Sequence, residues 1–300
     1  TSFSVFCSVK VILYFLLIFS TSVFGQMLDN RNGLAFTDKP FFDSEFIRIN
    51  KVESLNGRFT YKKPGDIMRN TEYEYVYSFD SLGRLISTFE TRKDDGTVDT
   101  TWNKYIYNNQ NLVVEHKRGD GKGFTSTLYG YDEKYRVISE SFVREYVDSL
   151  SVLQRTILNA ETMKYEEYDG QVKKTVYNSY GLPYLQEFSF YNELGYLVER
   201  TERLMMTSRT SKITYEYNEK GLMSSIKTII GDQEVPSEET KFLYDEHGNL
   251  QDKHYYRDGV FITEIEMLYN ERSMLLTYVL TRDVATNFIM ILNFKEYDFF

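Results

Sequence analysis

Hydrophobic and polar residues alternate with a period of two over most of the chain. Tyr73, Tyr75, Tyr77 and Phe79 fall on one side of a strand, and Glu72, Glu74 and Ser78 on the other. The same split recurs at Tyr105 and Tyr107, at Tyr129 and Tyr131, and at Tyr215 and Tyr217. Each segment thus offers one aromatic and one polar face, as a half-buried strand does. Helix is expected at one place, Phe42 to Asn50 (FDSEFIRIN), where Asp43 or Ser44 is placed to cap it.

The strands end in a recurring turn. Tyr77-x-Phe79-Asp80 runs on to Gly83-Arg84-Leu85, Tyr215-x-Tyr217-Asn218 to Gly221, and Phe242-x-Tyr244-Asp245 to Gly248. Asn178 with Gly181 and Asn192 with Gly195 keep the glycine. Asn108 with Asn111, Asp132 with Tyr135, and Asn270 with Ser273 replace it, and Tyr297-Asp298 stands at the last strand. An Asp or Asn side chain accepts from the backbone two residues on, and Gly at the fourth position takes a left-handed conformation. Asn111 tolerates that conformation, whereas Tyr135 implies a different turn or strain. A second turn class alternates with the first: Asp95-Gly96, Asp120-Gly121, Asp169-Gly170, Gly231-Asp232 and Asp258-Gly259. One unit is therefore two strands. The rhythm breaks between Phe142 and Met163, where longer strands, an inserted hairpin or a short helix would fit. Asn56-Gly57, between KVES and RFTY, reads as a two-residue hairpin turn, and Lys63 to Asp66 as another turn.

The expected fold is all-β. It is a long antiparallel meander of hairpin repeats, curled over its aromatic side into a twisted sheet or partial shell, with one short N-terminal helix. Its two end strands would carry free edges in need of cover. No Gly-, Ser- or Pro-rich linker interrupts the chain. Residues 26–72, a capping segment with a hairpin, and 73–300, the repeat region, are expected to form a single domain.

Composition narrows the class further. The chain holds 26 Tyr and 22 Phe against one Trp and four Pro, the reverse of a disordered composition. Its net charge of −9 comes from interspersed acids and bases, with no basic footprint for nucleic acid. Val11 to Gly25 is an apolar run behind Lys10, with Val23 and Gly25 where a signal peptidase prefers compact residues. Residues 1–25 are accordingly expected to be a signal peptide cut before Gln26, delivering the chain to the periplasm, cell surface or medium. The first residue is Thr1, so the basic region of such a leader would extend upstream. The run is too short to make a good membrane span. Cys7 lies inside it, so the mature chain would have no thiol, disulfide or cysteine ligand.

The repeated unit resembles the YD repeat of the Rhs family, Tyr-x-Tyr-Asp-x-x-Gly-Arg/Asn-Leu. Tyr77 to Leu85 and Phe242 to Leu250 match it best, and the resemblance extends over roughly 73–300. Together with the leader, the chain is similar to small secreted YD-repeat proteins of Bacteroidetes-type bacteria. Large members of the family spiral into a hollow shell around a toxin. This chain has too few units for such a cage and shows no self-cleavage core motif, so the resemblance implies strand-turn-strand structure without encapsulation.

Candidate chemistry is sparse, and neither cofactor nor metal is expected. His116, His247 and His254 are the histidines. Beside Asp245 or Glu246, His247 and His254 show no distinctive ligand spacing. Glu166 and Glu167, like Glu238 and Glu239, are adjacent and point apart on a strand. No Gly-x-Ser-x-Gly, phosphate loop or zinc-protease motif occurs. Trp102 shares a face with Lys104 and Ile106, opposite Tyr105 and Tyr107, and is the candidate ligand contact. An outer-membrane barrel requires a continuous outward apolar band, whereas the second face here carries Glu, Lys, Arg and Thr. The expectation is a non-enzymatic scaffold or binding protein that contacts a protein or glycan at the cell envelope and does not span the membrane. A carbohydrate-active enzyme using a carboxylate pair is the alternative, and an outer-membrane barrel a more distant one. The turn chemistry makes a direct prediction. Gly221→Val should lower stability by about 1–2 kcal/mol, read as a lower midpoint in chemical denaturation.

Overall fold

The computed structural model describes residues 25–94, 97–120, 123–147, 153–207 and 209–300. A short helix, α1 (Ser44–Ile49), precedes β1 (Val52–Lys62), β2 (Arg69–Phe79), β3 (Leu85–Asp94), β4 (Thr97–Tyr107), β5 (Val113–Asp120) and β6 (Gly123–Tyr131). Then come β7 (Val137–Val147), β8 (Leu153–Tyr168), β9 (Gln171–Tyr177), β10 (Pro183–Tyr191), β11 (Leu197–Leu204) and β12 (Thr210–Tyr217). The last six are β13 (Met223–Ile230), β14 (Glu238–Tyr244), β15 (Leu250–Arg257), β16 (Val260–Tyr269), β17 (Leu276–Asp283) and β18 (Ile289–Phe299). Each strand pairs antiparallel with the next, as an alternating sequence with tight turns dictates.

The sheet does not stay open. β1 pairs with β18 as well as with β2, from Val52 opposite Phe299 to Lys62 opposite Ile289. The expected all-β antiparallel meander with one short N-terminal helix is present, and its curl goes on to an 18-stranded closed barrel in which the two end strands pair and leave no free edges. Closure satisfies both rows of edge N–H and C=O groups at once.

Asn56-Gly57 is also corrected, because it lies inside β1 and makes no turn. Gly57 stands between Tyr75 of β2 and Phe294 of β18. A Cβ there would come within 2.7 Å of the Leu292 and Phe294 side chains. The glycine answers to close packing, and the chain reverses after Lys62 instead, where the Asp66 N–H donates to the Lys63 carbonyl.

The Asp/Asn turns share one geometry. The Gly83 N–H donates to Asp80 O at 2.8 Å, and the Asp80 N–H to Arg84 O at 3.0 Å. The Asp80 side chain accepts from the N–H groups of Leu82 and Arg84. The fourth residue is left-handed in all of them but the Asn270 turn, with φ of 79° at Gly83, 61° at Asn111, 63° at Tyr135 and 76° at Gly221. The turn at Asn270 differs from the expected form. It is one residue longer, and Met274 (φ 56°) takes the left-handed place assigned to Ser273. Asp80, Asn108, Asp132, Asn192, Asn218, Asp245 and Asn270 lie at one end of the barrel, whereas Asn178 lies at the other. Asp169-Gly170 has taken the β8–β9 connection, so the two turn classes exchange ends there. The irregular segment upstream is strand, β7 and the 16-residue β8, apart from 148–152. Residues 148–152, like Asp95-Gly96 and Gly121, fall outside the described residues.

The tyrosine before the turn has its own structural task. The hydroxyls of Tyr107, Tyr131, Tyr217, Tyr244 and Tyr269 donate to the carbonyls of Leu85, Val113, Leu197, Met223 and Leu250, at 2.6–3.0 Å. Tyr297 does the same to Leu276, and Tyr165 to Val137. Every acceptor lies two residues past the left-handed residue of the preceding turn, so each phenol clamps the turn before it. Phe79 occupies the corresponding position on β2, where no such turn precedes. It packs edge-on against Phe42 at 5.0 Å.

The aromatic faces point inward, and the chain ahead of β1 runs among them. Met27, Leu28, Ala35, Phe41, Phe42, Phe46 and Ile47 are buried with Leu55, Tyr77, Phe79, Met223, Leu250 and Leu276. Within this segment Asp43 caps α1, accepting from Phe46 N–H at 2.8 Å. Strand side chains meet its polar groups: Lys253 Nζ donates to Ala35 O at 3.0 Å, Tyr105 Oη to Asp38 O at 2.8 Å, and Asn30 Nδ2 donates to Tyr244 Oη at 2.9 Å. Buried backbone is thus kept paired without secondary structure. Tyr269→Phe should lower stability by about 1 kcal/mol in urea denaturation by removing one clamp, whereas Tyr180→Phe, at 87% exposure, should change nothing.

Candidate functional site

The N-terminal segment crosses the barrel and leaves an aromatic pocket beside it. Phe36 and Phe41 come from the segment, Phe59 from β1, and Tyr75 and Tyr77 from β2; Val279, Met290 and Leu292 line the rest. The pocket encloses about 230 Å³ and admits two carboxylates, Asp38 of the segment and Glu90 of β3. Alternation positions these groups: Phe59 faces inward on β1, Tyr75 and Tyr77 on β2, and Glu90 stands opposite Tyr75. The rings support one another, with Phe36 5.0 Å from Phe41, Tyr75 4.7 Å from Tyr77, and Phe59 edge-on to Tyr75 at 6.4 Å. Burial raises the Tyr75 phenol pKa, and nearby Glu90 and Asp38 add to the shift.

A second acidic region lies farther round the interior. Glu140 of β7 stands opposite Glu161 of β8, and Glu187 of β10 opposite Glu202 of β11. Like charges placed directly opposite destabilise a sheet, and only part of this repulsion is compensated. Lys174 reaches Glu187 at 2.6 Å, and Tyr184 donates to Glu161 at 2.8 Å. Burial and the Glu161 contact push the Tyr184 phenol up to about 12. Burial raises the Glu140 carboxyl, Glu161 raises it further, and Lys39 and Lys174 pull the other way.

A larger notch of about 480 Å³ lies between α1 and the turn-end residues Leu82, Arg84, Tyr107 and Asn111. Both of its cations have partners within the chain, and Arg48 lies 3.7 Å from Glu45. Arg84 binds Asp80 at 2.6 Å and Asn111 at 2.8 Å, over the Tyr107 ring.

The outward face is polar. Lys212 pairs with Glu199 and Lys227 with Glu216, each at 2.6 Å, and Arg282 pairs with Glu264 at 2.7 Å. On the same face Glu145 is buried between Lys117 and Arg155. Burial pushes its carboxyl pKa up, and the two cations outweigh that and hold it low. Lys and Arg cost about 2–4 kcal/mol each at the middle of a lipid-facing strand, and Asp and Glu less.

The residues singled out from sequence are dispersed. Trp102 lies on the outward face over Gly119, whose Cβ would come 2.3 Å from the indole, with Phe124 at 5.2 Å and Lys104 at 5.1 Å. Its ring is packed by this chain's own side chains. His116 faces inward, stacked on Tyr105 at 4.8 Å, and burial lowers its pKa. His247 is exposed at its turn beside Glu246. His254 sits instead with Asp252 and Glu264. Glu166 engages Lys173 and Tyr168, while Glu167 engages Lys134 and Arg136, so the two acids serve different partners. Asp38, Glu90, Glu140, Glu161, Glu187, Glu202 and Tyr184 were absent from the sequence candidates. A trace of them was present: on β10, for example, Glu187 falls in the phase of Leu185, Ser189 and Tyr191, where an inward residue is otherwise apolar or small.

No protein-family profile matches the chain, and no curated protein matches it. Solved structures do. A porin-like protein from Bacteroides uniformis is 11% identical, with a TM-score of 0.39, over 82% of this chain and 98% of that one. TcdB2-TccC3 is 10% identical, with a TM-score of 0.21, over 72% of this chain and 14% of that one. A LolA superfamily protein from Nitrosomonas europaea is 7% identical, with a TM-score of 0.19, over 85% and 91%. At those scores no residue role passes from them to this chain.

The interior acids make a pH prediction. The Glu140 carboxyl keeps its proton to higher pH in the fold than in the unfolded chain, whose value is near 4.5. Its ionisation therefore withdraws stability as pH rises through that window and beyond. Glu140→Gln should raise the denaturation midpoint at pH 7, and the gain should vanish at pH 4.

Proposed function

We propose that the protein is an exported, non-enzymatic binding barrel of the cell envelope that takes a glycan segment in its interior aromatic pocket. One observation carries this reading: Phe36, Phe41, Phe59, Tyr75 and Tyr77 surround a space that also admits Asp38 and Glu90. Aromatic faces pack against the apolar faces of sugar rings, and carboxylates accept from their hydroxyls. Export is supported by the apolar run Val11 to Gly25, which lies outside the described residues. Kinship with YD-repeat proteins is supported by the turn-and-phenol unit recurring from β4 to β18.

Hydrolysis is the weaker reading. Glycosidase acids flank the scissile bond from two sides of the sugar. Glu140 and Glu161 are cross-strand neighbours and project side by side from one wall. A membrane barrel is favoured by closure at 18 strands, a count at which porins hold an aqueous channel. The charged outward face and the chain packed through the interior oppose it.

A glycan array followed by calorimetry tests the proposal. Tyr75→Phe combined with Glu90→Gln should weaken glycan binding at least tenfold with the melting profile retained, and Trp102→Ala should leave it unchanged. Absence of any bound glycan, or equal binding by the double variant, would overturn the reading. Co-flotation of the folded protein with lipid vesicles would shift the case to the membrane barrel.

A further inference from the structure

We propose that Asp252, His254 and Glu264 form a binding site for a divalent transition-metal ion, with Zn²⁺ the best match. The site is on the outward face and is independent of the interior pocket. Asp252 and His254 are two apart on β15 and project from the same face, while Lys253 between them points inward to Ala35 O. Glu264 of β16 stands directly opposite His254. One donor atom from each residue lies within 4.8 Å of the other two, and all three side chains are half-buried.

The geometry suits a small ion. Zinc is held about 2.0–2.2 Å from nitrogen and oxygen donors, which sets tetrahedral donors about 3.4 Å apart. His254 Nε2 and Glu264 Oε1 are already 3.5 Å apart. Asp252 closes the set by side-chain rotation, and a water completes the fourth position. The set of one imidazole and two carboxylates selects zinc-like ions over Mg²⁺ and Ca²⁺, which prefer oxygen alone.

The surroundings hold the ligands in place. Arg282 Nη2 grips the far oxygen of Glu264, Oε2, at 2.7 Å, leaving Oε1 directed at His254. Such outer contacts orient metal ligands and are characteristic of metal sites. The His254 ring packs against Phe261 at 5.1 Å. Lys241, opposite His254 on β14, is drawn off over the Tyr256 ring at 4.6 Å and toward Glu239 at 3.7 Å. Glu266 stands directly opposite Asp252 and adds a third carboxylate to this stretch of wall, while Arg282 pairs with Glu264, so a cation would ease the remaining excess of negative charge.

The test is titration of the whole metal-stripped chain with Zn²⁺ by calorimetry, with Mg²⁺ and Ca²⁺ in parallel. One Zn²⁺ per chain should bind at micromolar concentration, with no saturable Mg²⁺ or Ca²⁺ binding. His254→Ala and Asp252→Asn should each weaken Zn²⁺ at least tenfold, while His247→Ala, the exposed-turn control, keeps wild-type affinity. Co²⁺ in place of Zn²⁺ should give the intense visible absorption of a four-coordinate site, lost in His254→Ala. Thermal melts of the metal-free variants separate loss of the site from loss of the fold. No saturable Zn²⁺ binding below millimolar, or equal affinity in the folded His254→Ala variant, would overturn the proposal.

Discussion

The pairing of β1 with β18 is the constraint on which the rest of this molecule depends. A meander of strands with one aromatic face each has no shared interior until its ends meet. Once they pair, Tyr77, Phe79, Leu250, Leu276 and Phe294 face a common space that the segment from Met27 to Ile47 packs into. Wall and contents then hold each other. Gly83 shows how closely: a Cβ there would come 2.0 Å from Ser44 O in α1, so this turn glycine serves a close approach as well as its own φ.

The phenol clamps and the turns make the wall a chain of self-similar joints. Each Asp or Asn closes its own turn, and at Tyr107, Tyr131, Tyr217, Tyr244 and Tyr269 the tyrosine before it ties down an earlier one. Order therefore passes from hairpin to hairpin through hydrogen bonds, in addition to side-chain packing. The two surfaces differ in electrostatic character. Outside, Lys–Glu pairs such as Lys212–Glu199 bridge neighbouring strands, and exposed pairs of this kind contribute little. Inside, carboxylates such as Glu140 and Glu161 are held together by the register of the sheet against their mutual repulsion.

Much of the wall was legible in the sequence. Alternation placed the tyrosines on one face, the Asp-x-x-Gly spacing marked the turns, and Asp43 or Ser44 marked the helix start, Asp43 being the cap in the structure. Closure was not legible, because an edge strand's hydrogen-bonding groups are backbone atoms, and no side chain records their partner. Asn56-Gly57 misled for a related reason: Gly suits both a left-handed turn and a crowded strand, and only the neighbours Leu292 and Phe294 decide between them. The interior pocket was hidden more deeply. Asp38 lies in a segment without periodicity, and Glu90 meets Tyr75 through a register that the bulge between Ser78 and Phe79 has shifted. His254 was visible, but its neighbour Glu264 comes from across a hairpin and not from the adjacent turn acids.

Closure also separates two kinds of assembly in time. Every other strand pair is a hairpin between sequence neighbours, which forms over short loops and quickly. The β1–β18 seam instead joins groups such as Ser54 and Asp298, 244 residues apart and hydrogen-bonded at 2.6 Å. The meander can therefore be nearly complete while its first strand still waits for its last. In that interval two long edges and an aromatic trough are open to any other chain, the state in which such sheets aggregate. The seam is thus the one strand pairing of high contact order, and the two edges stay unpaired until it forms.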